Sequence, residues 1–380
     1  MSVVHIIGAG MAGSYASSLA VQETHEVRVY ERIRSSDWQN PLRGRKCGEG
    51  VWEKKLRDAG IQPDNKPWVD NKLTNILLGR ISEDRIVSEH SGLCDPYLVI
   101  DRQGFANYYL DQAISSGAVF TNGSAERSIA QFVSDNSEGY VIGAWGTNAR
   151  LTRSIISRDV TRYVMSCQYT MSGVNTKVLD NAKCIYFSDD PNVAFYWIFP
   201  VEESNSGRAN IGVMFTSSKI SKPFEYLDLF LRLNPRRAFT STEILEQRTF
   251  AKPISVGEPV TPEELSSYPN LFLVGDAAGV CSSVSGGGIG YALQSALHTI
   301  TAISKKDPLK YLTDSMKQVY EDLRRDLSLS AKMYPQNPLV KREINDKIFE
   351  LVEQVMLTSD TRDTRQLSLS NLLRELLTEH

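Results

Sequence analysis

The first thirty-one residues constrain the fold most. Residues 2–7, SVVHII, are β-branched and apolar; GAGMAG follows, then the small and apolar run SYASSLAVQ, and HEVRVYE at 25–31 ends on an acid. A β-branched run, a G-x-G-x-x-G turn, a helix-forming run and a second apolar run predict strand, tight turn, helix and strand, a β-α-β unit. Each glycine has a separate task in such a unit. Gly8 permits the tight turn, Gly10 lets a pyrophosphate approach the backbone, and Gly13 lets the helix lie close against the strand. Glu31 stands 23 positions after Gly8, where a carboxylate can accept hydrogen bonds from a ribose. Strand, spacing and acid together predict a dinucleotide site, and leave NAD and FAD both open.

Further along, QGFANYYLDQAISS at 103–116 mixes apolar and polar residues at helical spacing. From about 160 to 215 the pattern changes to strand-like runs, VTRYVMSCQYTM, AKCIYF, VAFYWIFP and RANIGVMF, separated by turn-forming clusters. This predicts an antiparallel sheet inserted into an α/β framework. PFEYLDLFLRL at 223–233 reads as a helix, NLFLVGD at 270–276 as a strand, and a helix is predicted to begin near Ile289. The last 75 or so residues read as helices with breaks at Pro335 and Pro338.

The 380 residues are long enough to bury a substantial core, and a net charge of -3 with 23% charged residues gives no basic surface suited to nucleic acid. Five scattered cysteines, Cys47, Cys94, Cys167, Cys184 and Cys281, form no C-x-x-C pair, and the five histidines have no ligand spacing, so no metal site is expected. The N-terminus lacks the pattern of a secretion signal, and no run reaches the ~18 apolar residues of a spanning helix. The expectation is a cytoplasmic protein that meets a membrane, if at all, at its surface.

A second motif selects the cofactor. In NLFLVGDAAGVCSSVSGGGIGYALQSA (270–296) a strand delivers Gly275 and Asp276 to the end of the sheet, where the carboxylate can bind a ribityl hydroxyl. Gly286, Gly287, Gly288 and Ile289 can set backbone N–H groups and a helix N-terminus against an isoalloxazine ring, where the helix dipole favours the anionic reduced flavin. Consecutive glycines carry an entropic cost that is justified where something must approach closely. FAD is the predicted cofactor.

Taken together, GAGMAG, Glu31, Asp101-Arg102 within LVIDRQGF, and VGDAAG with GGGI resemble flavoprotein oxidoreductases of the p-hydroxybenzoate hydroxylase fold. The resemblance implies an α/β (α+β composite) chain: a Rossmann-like FAD-binding domain from 1–75, 100–150 and 258–305, an antiparallel-sheet substrate domain from 76–99 and 151–257, and a C-terminal helical region from 306–380. It implies cofactor contacts from Arg32, Cys47, Gly48, Gly50, Arg102, Ala125, Asp276, Gly287, Gly288 and Ile289 besides the first turn. Arg102 would lie over the flavin's phosphate or ribityl region, the alternative being an ion-paired surface arginine.

Within that fold, GRKCGEG at 44–50 and FYWIFP at 195–200 resemble segments of the geranylgeranyl reductase family, which includes archaeal digeranylgeranylglycerophospholipid reductases. Phe195 stands where the family's aromatic segment starts with tyrosine, Ala144-Trp145-Gly146 replaces an alanine-aspartate-glycine, and CSSVSGGGI lacks the usual proline. The resemblance implies hydride transfer from reduced FAD to isolated alkenes of geranylgeranyl chains of membrane-lipid precursors, with NADPH or reduced ferredoxin as outside donor. The substrate would be a prenylated lipid or prenyl diphosphate, collected through peripheral membrane contact. The rival readings are a flavin monooxygenase or halogenase of the same fold, and a lipid-binding flavoprotein without turnover.

The resemblance places Cys47 beside the flavin, as a proton donor to the alkene, a shield or a substrate contact; a small residue in a tight turn is the alternative. Arg43, Arg45 and Lys46 can attract phosphate or simply form a solvated loop. Phe195, Tyr196, Trp197 and Phe199 are the expected substrate wall, and strand alternation puts Phe195, Trp197 and Phe199 on one face.

Overall fold

The β-α-β unit forms as β1 (Val3–Ile7), α1 (Met11–Gln22) and β2 (Glu26–Glu31), with β1 and β2 parallel from Val3↔Glu26 to Ile7↔Tyr30. The structure is a computed structural model that describes residues 2–33, 49–123, 128–147, 149–156, 163–246 and 252–358. Cys47, Gly48 and Ala125 lie outside these residues. In chain order there follow β3 (Gly50–Trp52), α2 (Glu53–Asp58), β4 (Val69–Ser82), β5 (Arg85–Ile100), α3 (Arg102–Ser115), β6 (Val119–Asn122), α4 (Ile129–Asp135), β7 (Tyr140–Gly143) and α5 (Ala149–Arg153). The second half holds β8 (Tyr163–Val174), β9 (Lys183–Ser188), β10 (Val193–Pro200), β11 (Gly207–Phe215), α6 (Pro223–Leu233), β12 (Phe239–Glu246), β13 (Lys252–Ser255) and β14 (Leu271–Leu273). It ends in α7 (Ile289–Ile303), α8 (Pro308–Met333) and α9 (Pro338–Thr358).

The first sheet runs β14-β7-β1-β2-β6, and its pairings are all parallel. Parallel strands are buried on both faces by their crossover helices, so they read as continuous apolar runs, and Val4, Ile6, Val27, Val29 and Ile142 are closed to solvent here. The chain moves outward from β1 to β2 on one side and to β7 on the other. That reversal opens a crevice at the carboxyl end of β1, where Gly8 begins the turn.

The second sheet runs β12-β8-β11-β10-β9-β4-β5-β3, with β13 also paired to β8; the β4–β9 pair is parallel and the rest antiparallel. The strand-like runs between 160 and 215 all take their places in it. Both faces are covered. On one, Tyr186, Tyr196, Ile198 and Ile211 pack beneath Leu227 and Phe230 of α6. On the other, Phe187, Phe195, Trp197, Phe199 and Met214 pack against Cys281, Val284 and residues of α8 and α9. The long β4–β5 hairpin turns at Glu83 and Asp84, both at positive φ (49° and 55°).

The last two helices are held to this sheet by polar contacts as well as apolar ones. Arg80 on β4 pairs with Asp189 (3.2 Å) and with Asp346 of α9. Asn345 donates to Asp189 Oδ1 (2.7 Å), and the buried Lys341 ammonium donates to the carbonyls of Asp190 and Val193. No helix among the described residues is long and apolar enough to cross a membrane.

Large rings in the second sheet lie over glycines on neighbouring strands. Tyr186 lies over its register partner Gly79, where an added Cβ would stand 2.1 Å from Cδ1. Gly79→Ala should therefore destabilise the protein by about 1–3 kcal/mol, read as a lower denaturation midpoint. Tyr186→Leu in the same chain should recover part of that loss, a coupling that a double-mutant cycle measures.

Candidate functional site

Backbone geometry at the first turn separates the three glycines. Gly8 has φ +103°, and a Cβ there would lie 2.4 Å from the Ala144 carbonyl oxygen; on Gly13 it would lie 1.9 Å from the carbonyl oxygen of Gly8. Those two glycines are required by the protein's own packing. Gly10 differs, because an added Cβ would meet nothing within 4 Å. Gly10 is also the N-cap of α1 and makes no side-chain cap, so the helix begins at an open, uncapped end. Glu31, 5% exposed, closes the turn: Oε2 accepts from Ala9 N at 2.8 Å and Oε1 from Ile33 N at 3.1 Å. Arg32 follows it at the surface.

The second glycine-rich turn packs directly on the first. Gly275, at φ +62°, leaves only 3.3 Å between an added Cβ and the β-carbons of Ala12 on α1 and Ala292 on α7. Beyond it Ser282 organises the loop: its N–H donates to Gly287 O (3.2 Å), its carbonyl accepts from Gly286 N (2.9 Å), and its hydroxyl accepts from Ser285 N (3.3 Å). The same hydroxyl donates to Asp326 Oδ2 of α8 at 2.5 Å. Burial raises the Asp326 pKa above the ordinary carboxylate value, with the Ser282 bond opposing. Gly288 caps α7 without a side chain, so Ile289 starts a second uncapped helix, and Asp276 Oδ1 lies 3.4 Å from where a Gly288 Cβ would be. Ser283, 4% exposed, has a hydroxyl with no partner among the described residues.

Asp276, Gly287, Gly288 and Ile289 thus come together in one turn beside Gly8, Gly10 and Gly13. Open space at Gly10, two uncapped helix starts and the unpaired Ser283 hydroxyl fit a bound dinucleotide. Arg102 opens α3, whose N-cap Asp101 accepts from Gln103 N and Gly104 N. The backbone brings it near Glu49, since Ile100 N donates to Glu49 O at 2.8 Å.

Glu49 also reaches the second sheet. Asn210 on β11 donates to Glu49 Oε2 (3.0 Å) and accepts from Thr170 Oγ1 on β8 (3.0 Å). Gly50 pairs with Val99, and the Tyr97 hydroxyl stands 2.2 Å from where its Cβ would be. Beside it the Lys183 ammonium sits 4.1 Å from the Trp52 ring centroid and 4.2 Å from that of Tyr97. Burial brings its pKa down to about 8 and pushes the neighbouring Cys94 thiol up to about 11.

Phe195, Trp197 and Phe199 lie on the sheet face shared with Cys281 and Val284 of the second turn. Tyr196 does not join them. As alternation predicts, it turns to the opposite face, where it stacks on Phe230 at 4.6 Å, so Tyr196 is not brought together with the other three expected substrate residues. The missing tyrosine hydroxyl of the aromatic segment is therefore not supplied by Tyr196.

No family model matches the chain. A curated digeranylgeranylglycerophospholipid reductase 2 from Methanosphaera stadtmanae is 24% identical, over 97% of this chain and 94% of the relative. Digeranylgeranylglycerophospholipid reductase 1 from Methanococcoides burtonii is 27% identical, over 83% and 78%. Among solved structures, a geranylgeranyl bacteriochlorophyll reductase-like protein from Thermoplasma acidophilum superposes with TM-score 0.69 at 21% identity, covering 99% of this chain and 98% of that one. Over nearly its whole length the chain is thus similar to proteins that carry the name of geranylgeranyl reductases. The flavin-dependent halogenase CmlS has the same fold, with TM-score 0.64 and 17% identity over 96% of this chain and 71% of its own. What this chain shares with a halogenase at that distance is the scaffold.

The two kinds of glycine predict different losses. Gly13→Ala should lower the thermal midpoint of the ligand-free protein, because the new carbon meets backbone. Gly10→Ala should lower that midpoint less than Gly13→Ala does, since its Cβ meets nothing within 4 Å among the described residues, and should weaken dinucleotide binding by narrowing the approach to the backbone. Thermal unfolding and a cofactor titration check both.

Proposed function

We infer that the chain is an FAD-dependent reductase that adds hydrogen across isolated C=C bonds of geranylgeranyl chains on a membrane-lipid precursor. One observation carries the reading. The turn that fits the flavin shares an apolar cluster with the aromatic face of the second sheet, so cofactor and hydrocarbon would meet where water is excluded. The printed names of the curated relatives support the same substrate class.

An unactivated alkene accepts hydride poorly, so position and dryness must supply much of the rate. Reduced FAD, when bound, would supply the hydride. The first turn, with Glu31 and Arg32, would hold the adenosine half, and Asp276 with Gly287, Gly288 and Ile289 the flavin half. Phe195, Trp197 and Phe199 would align the chain and exclude water. The second hydrogen arrives as a proton, and we assign it to the Cys47 thiol, next to Gly48-Glu49-Gly50. Glu49, tied to Asn210 and Ile100, would fix that segment to the sheet. NADPH or a reduced ferredoxin would restore the cofactor, and the lipid would be collected by peripheral contact with the bilayer.

The test is an anaerobic incubation of the protein with reduced FAD and a geranylgeranyl lipid. The product should gain the mass of one hydrogen molecule per double bond. A product formed only with oxygen and carrying one added oxygen atom would instead establish a monooxygenase. Cys47→Ala should retain FAD and lose at least about 100-fold in alkene reduction, and unchanged turnover would remove the thiol from the mechanism.

A further inference from the structure

Two buried hydrogen-bonding side chains on the proposed substrate face lack partners. Strand register sets Gln168, Gly212 and Trp197 side by side across β8, β11 and β10. Directly paired residues of antiparallel strands project to the same face, so the Gln168 amide faces the layer that holds Phe195, Trp197 and Phe199. Gly212 has no side chain, and the indole lies across it. A Cβ there would stand 2.1 Å from Trp197 Cζ2 and 2.5 Å from Cε2, the carbon bonded to the indole nitrogen. The N–H edge of the ring is thereby carried over β11, the strand next to Gln168.

Gln168 is 3% exposed and Trp197 6% exposed, and among the described residues neither the oxygen nor the nitrogen of the Gln168 amide nor Trp197 Nε1 has a partner. The neighbouring row is satisfied, with Thr170 donating to Asn210 and Asn210 to Glu49. The unpaired groups therefore lie on the same face as the aromatic residues, beside that satisfied polar row. Buried amides and indole N–H groups are ordinarily paired, and leaving three such atoms open is costly unless a ligand completes them.

Building on the reductase reading, we propose that Gln168 and Trp197 form an oxygen-recognition point on the substrate face, and that the isoprenoid ligand carries an uncharged oxygen at that depth. The indole only donates, while the amide both donates and accepts. An ether oxygen satisfies the two donors, and a hydroxyl can in addition give its proton to the amide oxygen. Neither side chain carries a charge, which suits a neutral oxygen rather than a phosphate.

The FAD-loaded protein is titrated calorimetrically with geranylgeraniol, with its methyl ether, and with the hydrocarbon in which hydrogen replaces the hydroxyl, all in the same detergent micelles. The oxygenated ligands should bind at least about tenfold tighter than the hydrocarbon, and Gln168→Leu with Trp197→Phe should reduce that ratio to about twofold. A preference for alcohol over ether identifies a hydroxyl that also donates; equal affinity identifies an acceptor alone, and both support the proposal. Equal binding of all three by the unmodified protein overturns it and leaves the prenyl-binding reading standing, as it would if ordered water completes the spot. Failure of all three to bind overturns both. The ligand-free Gln168→Leu protein should melt at or above the original temperature, because it sheds unpaired polar atoms. A lower midpoint would make Gln168 a structural residue and overturn its assigned role.

Discussion

Helix α1 can lie on β1 only because Gly13 presents no side chain to the carbonyl of Gly8, which would be 1.9 Å from an added carbon. The rest of the candidate site depends on that approach. It brings Ala12 against Gly275, and Gly275 against Ala292 of α7, so that two turns separated by more than two hundred residues become one backbone surface. Small residues at each contact keep the layers close, and the helix starts at Gly10 and Gly288 remain open. A site for a phosphate or flavin is formed by subtraction: side chains are absent wherever backbone must face a ligand.

The second sheet meets that surface with a face that is apolar along β10 and partly polar along β8. Cys281 and Val284 of the glycine-rich turn pack into the same cluster as the aromatic residues, which joins the two sheets through a dry layer. Helices α8 and α9 close the layer from the far side, fixed by Arg80, Asp189, Asn345 and Lys341. Asp326 links this cover back to the turn through Ser282, so a helix near the end of the chain helps set the shape of a loop that would touch cofactor.

Much of the first sheet was legible because its signals are local. A β-branched run, a spaced glycine triplet and an acid at the end of the next strand each act within a few residues of one another. The helices at 223–233 and from Ile289 announce themselves through Pro at the first position or glycine just before it. The second sheet was less transparent. Ser166, Gln168 and Thr170 alternate with Cys167, Tyr169 and Met171, a pattern that ordinarily marks a strand with one wet face; here distant elements cover that face too. Its hairpin at Glu83-Asp84 contains no glycine, so the usual two-residue turn signal is missing. The division of FYWIFP between two cores was legible, since alternation alone separates Tyr196 from Phe195, Trp197 and Phe199. The Glu49–Asn210 contact spans 161 residues, and nothing near either residue points to the other.

The fold is shared with a flavin-dependent halogenase, so the turns alone do not choose the chemistry. Selection among reactions falls to what faces the cofactor. A hydrogenating site must keep water from the hydride while admitting a proton at one position, and an aromatic face with few polar atoms serves the first need. Each polar atom left on such a face then acquires meaning, because the apolar layer offers it no alternative partner. Asn210 joins Thr170 and Glu49, so that row is closed by its own neighbours. Gln168 and Trp197 have no such closure among the described residues, so under the proposed reading the completion of their hydrogen bonds would fall to what enters the layer.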